Sequence, residues 1–236
     1  MMERQALEYL VDLGERKVFT ERYHGGDYTN QKLYRIEEPK AETLNARTLT
    51  SAVDYIKANV DIIGLVVVHI ESPTLITLKS PLNNDKRREV YMECNALTPN
   101  NISFNRFSGT EEFNIMLQSS FVDNKDRNLL LKVTGNVKDE AVKSVGDNGV
   151  SQAVTIKTGV ASVSDVVVPN PVTLAPFRTF QEVEQPESKF IFRMKDGPAA
   201  ALYEADGGAW RNEAMKNIKE FFKEQLKGFD NVSIIS

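Results

Sequence analysis

Residues 169–227 read PNPVTLAPFRTFQEVEQPESKFIFRMKDGPAAALYEADGGAWRNEAMKNIKEFFKEQLK, and the fold turns on how they are read. A proline-punctuated extended segment leads into a hairpin, and the hairpin into an amphipathic helix. Phe190-Ile191-Phe192-Arg193-Met194 is strand-like, as is 199–205, and Asp196-Gly197 between them is a strong hairpin signal. With those two residues as the loop, Arg193 faces Ala200, Ile191 faces Leu202 and Lys189 faces Glu204. Side chains alternate across a strand, so Phe190, Phe192, Met194, Ala199, Ala201 and Tyr203 make a core face. Lys189, Ile191, Arg193, Ala200, Leu202 and Glu204 make a mixed face. That face is either solvated, with a Lys189–Glu204 pair contributing about 0.2–1 kcal/mol, or turned toward a ligand or a second subunit.

Asp206 is a good helix cap, and Gly207-Gly208 let the backbone turn closely into the first turn. Met215, Ile218, Phe222, Leu226 and Phe229 recur at spacings of three and four, which makes an apolar stripe. Lys216, Lys219, Lys223 and Lys227 form a basic stripe beside it, with Glu220 and Glu224 in helical reach. A helix N-terminus is also an anion site. Gly207, Gly208, Trp210 and Arg211 there would suit a phosphate and a base, although ordinary strand-to-helix turns use the same residues.

Composition bounds the rest. The 236 residues, 41% hydrophobic and 26% charged, suit a globular chain with a sizeable core. A net charge of -4 argues against strong non-specific DNA binding. One Cys makes no internal disulfide, and the first residues lack a signal-peptide pattern. No apolar run reaches membrane-spanning length. These features point to a cytoplasmic protein with no membrane partner. With two His and one Cys, no structural zinc site is expected, and no other metal or cofactor site is assigned.

Helices are expected at 3–13, 48–60 with Thr48 as cap, 108–122 with a Ser108–Glu111 capping box, and 124–133 with Asn124 as cap and Gly135-Asn136 as stop. Strands are expected near His24-Gly25-Gly26-Asp27 (KVFTERY and QKLYRIE), at 64–71, 74–79 and 88–97, and through 140–168 around Asn148-Gly149. Alternation in 88–97 turns Val90, Met92, Cys94 and Ala96 inward, which makes Cys94 an inert core thiol. His69 is read as a hydrogen-bonded core histidine, because a His69–Glu71 acid–base pair needs a third group. Helices and strands do not alternate strictly, so the class is α+β. Mainly antiparallel sheets carry helices packed on one side, with an amphipathic helix at the C-terminal end. The chain reads as a single α+β domain over 1–236. Its weakest point lies near Asn136, separating an N-terminal α+β part (1–136) from a β-rich part with the C-terminal helix (137–236).

The order of these pieces carries a resemblance. A Thr-Leu-Thr helix, a Phe-rich helix, a Leu-Leu-Lys-Val helix, the VTIKTGVA hairpin, PNPVTLAPFRTF and a final strand pair holding Arg193 follow one another. In this the chain resembles the YfdQ-like family of phage and prophage proteins. The resemblance implies a phage-encoded cytoplasmic protein and brings no catalytic residues with it.

No GxxxxGK[ST], GxGxxG after a strand, GxSxG or HExxH motif occurs. The leading expectation is a non-enzymatic phage accessory protein, a self-assembling binding module for a small nucleotide-like anion such as a host defence signal. Its candidate ligand residues are Arg178, Lys189, Arg193, Tyr203, Glu204, Gly207, Gly208, Trp210 and Arg211. The arginines supply planar donors, and Trp210 or Tyr203 a stacking ring. One alternative is an interaction protein in phage DNA replication or recombination, working through the lysine stripe of 216–227. The other is a small nucleotide hydrolase, for which no catalytic residue is assigned.

Overall fold

A computed structural model of the chain describes residues 4–14, 18–20, 27–29, 40–61, 63–83, 86–136, 146–147, 152–157, 163–195 and 199–236. The chain divides into two compact units, Met1–Ala41 and Glu42–Ser236. The first holds helix α1 (Arg4–Gly14) and the antiparallel strands β1 (Val18–Thr20) and β2 (Asp27–Thr29). None of α1 is buried, and Leu7, Leu10 and Val11 of its apolar stripe are exposed. The strand expected at QKLYRIE lies outside the described residues.

The second unit opens with β3 (Leu44–Ala46), α2 (Leu49–Ala58), β4 (Val66–Ser72), β5 (Leu75–Lys79) and β6 (Val90–Asn95). Then come β7 (Ser108–Gly109), α3 (Thr110–Ser120) and α4 (Lys125–Gly135). Next are β8 (Gly146–Asp147), β9 (Gln152–Lys157), β10 (Val163–Val168), β11 (Val172–Leu174), β12 (Ser188–Lys195) and β13 (Ala199–Glu204). Helix α5 (Trp210–Gln225) and β14 (Val232–Ile235) close it.

These strands form three sheets. The five-stranded sheet runs β14-β4-β5-β6-β3, antiparallel at its centre and parallel at the β14–β4 and β3–β6 pairs. Its buried face packs on α2 and α5 through Leu49, Ile56, Val68, Leu78, Ile218 and Phe222. The four-stranded sheet runs β11-β12-β13-β7 and packs on α3 and α4 through Phe113, Leu117, Leu130, Phe190, Phe192 and Leu202. A three-stranded sheet, β10-β9-β8, is antiparallel throughout. Mainly antiparallel sheets, each main one with its helices, make the fold α+β.

Local chemistry explains most of the boundaries. Thr48 caps α2 by accepting the Ser51 N–H, and Asn124 caps α4 by accepting the Arg127 N–H at 2.8 Å. Glu182 reaches across from the segment before β12 and accepts the Leu49 N–H at 2.7 Å. A carboxylate thus meets the positive end of α2. The expected Ser108 capping box does not form. Ser108 pairs with Ala200 in the sheet, and Gly109 precedes α3 with no side-chain cap. His69 is not in the core. It stands half-buried on the face of the five-stranded sheet that carries neither α2 nor α5.

The β12–β13 hairpin corrects the expected register. Lys195 pairs with Ala199, Arg193 with Ala201, Ile191 with Tyr203 and Phe190 with Glu204. Three residues, 196–198, separate the paired ends where a two-residue loop was expected, and those three lie outside the described residues. A shift of one residue turns every β13 side chain over. Ala200, Leu202 and Glu204 therefore share the core face with Phe190, Phe192 and Met194. Tyr203, Ala199 and Ala201 lie opposite, with Ile191 and Arg193. Lys189 pairs with Thr173 of β11, so the expected Lys189–Glu204 pair does not exist.

Candidate functional site

The nine candidate residues separate into two groups on opposite faces of the four-stranded sheet. The first group gathers where β13 turns into α5. Gly207 and Gly208 both adopt left-handed backbone, with φ +63° and +84°, a conformation that favours glycine. This turn folds Asp206 back over the start of the helix. Its carboxylate accepts the Gly208 N–H at 2.9 Å, the Trp210 N–H at 3.3 Å and the Ser188 hydroxyl at 2.8 Å. Burial pushes the Asp206 carboxyl up. The bonds from Gly208, Ser188 and Trp210, with the charge of Arg178, outweigh that and hold it below the usual range. The anion expected at this helix start is thus supplied by the chain itself.

Arg178 organises the same group. It is only 8% exposed. Its Nη1 donates to Glu204 Oε1 at 2.8 Å, and its Nη2 donates to the Ser188 hydroxyl. Its guanidinium stacks on Trp210, 3.8 Å from the ring centroid, and Arg211 approaches the same ring at 4.9 Å. Burial draws the Arg178 pKa down to about 10, against the opposing pull of Glu204 and Asp206, so the group stays charged at neutral pH. Arg178 Nε and Trp210 Nε1 are both buried without a hydrogen-bond partner. Arg178, Glu204, Gly207, Gly208, Trp210 and Arg211 therefore form one clasp, joined by Ser188 and Asp206. It ties the segment before β12 to β12, β13 and α5. With Glu204 and Asp206 beside Arg178, the clasp is close to neutral.

The second group lies on the other face of the sheet. Lys189, Arg193 and Tyr203 project there with Ile191, Lys195, Thr173, Ala199 and Ala201. Lys195 Nζ sits 4.6 Å above the Phe107 ring, and Phe107 meets Tyr203 edge-on with centroids 6.5 Å apart. Arg193 Nη1 donates to the Phe192 carbonyl at 2.9 Å, which anchors the guanidinium along the strand. Lys189 and Lys195 are exposed. Among the described residues that the pairing assigns to this face, none is acidic. The face thus combines three cations with two rings. Lys195 and Phe107 were not anticipated. Lys195 could have been found by carrying the alternation from Lys189 one step past Arg193. Phe107 comes from a distant segment, held in place by the Asn105 N–H bond to the Leu202 carbonyl at 2.8 Å.

Three of the four lysines of the α5 stripe, and the polar cluster at Glu71, have partners within the fold. In the lysine stripe of α5, Lys216 pairs with Glu213, Lys223 with Glu220, and Lys219 bonds Ser236. On the five-stranded sheet, Glu71 accepts Lys79 at 2.9 Å and Thr77 at 2.7 Å, and His69 lies 3.1 Å from Lys79. The hydrogen bond from Lys79 leads the effects that lower the Glu71 pKa. Cys94 is fully buried, and burial pushes its thiol up to about 12, which makes it inert. Among the described residues, no group of three or more His, Cys, Asp or Glu is placed to hold a metal, and no helix is long and apolar enough to cross a membrane.

Fold and site define an α+β protein with a cationic, aromatic sheet face. Comparison with protein-family models, curated proteins and solved structures gives no match.

Proposed function

We propose that this protein is a non-enzymatic binding module that takes a nucleotide-like anion on the outer face of β11, β12 and β13. One observation carries the reading. Lys189, Arg193 and Lys195 share a face with Tyr203 and Phe107, and among the described residues paired on that face none is acidic. Three cations with no carboxylate partner among the described residues attract phosphate, and the half-buried rings of Tyr203 and Phe107 beside them suit a base. The face offers donors and rings, which is the chemistry of holding a ligand. The clasp around Arg178 supports that face from behind by fixing where β12 and β13 meet α5.

The resemblance to the YfdQ-like family suggests the setting, a phage protein in the host cytoplasm that sequesters a nucleotide signal of host defence. In this reading the protein also self-assembles. Leu65 and Leu82 are exposed near β14, which is an edge strand of its sheet, and a second copy could meet that surface. Native mass spectrometry of the protein purified from expressing cells reads assembly and retained ligand together. A discrete oligomer carrying the extra mass of a nucleotide supports the proposal. A bare monomer that also ignores added nucleotides contradicts it.

A further inference from the structure

We infer that the ligand of this face is a single-stranded oligonucleotide lying along β12, an inference that rests on the binding reading above. Same-face positions of an antiparallel strand recur about every 6.8 Å. Lys189, Arg193 and Lys195 occupy the first, third and fourth of four such positions, so the cations form a straight row about 20 Å long. A lone nucleotide does not reach both ends of that row. An extended strand does, because its phosphates repeat along a line at a comparable interval.

The gap in the row is filled by Ile191, 36% exposed, whose partner across the sheet is Tyr203. Phe107 then stands between Tyr203 and Lys195, touching both. Rings therefore flank the row of cations on one side. A sheet surface with aromatic rings beside a basic track is suited to splayed bases with their backbone alongside. A duplex keeps its bases stacked inside and would leave the rings unused. The net charge of -4 opposes general attraction to nucleic acid, so affinity must come from this row and should be specific to it.

Fluorescence anisotropy at low salt tests this with labelled mononucleotides and mixed-sequence single strands of two to eight nucleotides. Affinity should rise at least tenfold from one nucleotide to four and then level off. The logarithmic salt slope should approach about -2, as for three phosphates on a single strand. Lys189→Gln, at an exposed position, should flatten the rise with length and make the salt slope shallower. Equal affinity at every length overturns the inference and leaves the binding reading standing. Absence of binding at every length, the mononucleotides included, overturns both.

Discussion

The Arg178 guanidinium carbon lies 3.8 Å from the centroid of the Trp210 ring. This stacked pair joins the segment before β12 to the first turn of α5, and its Arg178 Nε and Trp210 Nε1 atoms are buried without hydrogen-bond partners. A buried donor without a partner costs about 1–3 kcal/mol. The arrangement therefore holds because Glu204, Ser188 and the ring faces return more than that.

Removing the cation should expose the balance. Arg178→Ala leaves Glu204 without its partner, removes a nearby positive charge from Asp206 and opens space beside Trp210. Stability to urea should fall by about 2–4 kcal/mol, somewhat less than for a fully buried pair because Glu204 is partly exposed. Arg178→Lys keeps the charge but not the planar fork, and should recover only part of the loss. Trp210→Phe keeps a ring and deletes an unpartnered N–H, so it should cost under about 1 kcal/mol. A cost below that for Arg178→Ala would mean the clasp carries no structural weight.

The turn before α5 makes a paired prediction. Gly207→Ala and Gly208→Ala should each cost about 1–2 kcal/mol, because both positions are left-handed. Only at Gly208 would the added Cβ run into the Arg211 guanidinium; around Gly207 there is open space. The long-wavelength edge of the near-ultraviolet circular dichroism, where only the single Trp contributes, should therefore change for Gly208→Ala and not for Gly207→Ala. The same change in both would show that Arg211 does not govern the Trp210 environment.

Acid should act through Asp206. Its carboxyl sits below the ordinary Asp value near 3.9. The folded state thus binds its proton more weakly than the unfolded chain. That stability is fully present above the unfolded value and is lost as pH falls through the folded one. Melting temperatures taken from pH 6 down to pH 3 should fall more steeply for the wild type than for Asp206→Asn, which starts lower. Parallel curves would show that the carboxylate gains nothing from its bonds to Gly208, Ser188 and Trp210.

How far the sequence could be read follows from the range of the forces. Caps within three residues were legible, as with Thr48 and Asn124, and so was the alternation that buries Met92 and Cys94. Ser108 misled because a hydroxyl three residues before Glu111 has the right spacing whether its backbone caps a helix or pairs with Ala200. The hairpin strands were legible, but their register was not. Register depends on one residue of loop length, and that residue decides whether Glu204 stands beside Lys189 or behind it. The parallel pairing of β14 with β4 leaves no local mark, because its partners lie more than 160 positions apart. The same distance effect hid Phe107 from the site, and hid Ser188 and Arg178 from Asp206.

The outer sheet face carries the account, and calorimetric titration tests it most directly. A nucleotide panel should be titrated into the wild type and into an Arg193→Gln/Lys195→Gln double variant that melts like the wild type. The wild type should give saturable heat and the variant at least a tenfold loss of affinity, since each lost phosphate contact is worth roughly a power of ten. Equal binding by the two proteins would place the ligand elsewhere, and no heat from either would contradict the binding function itself.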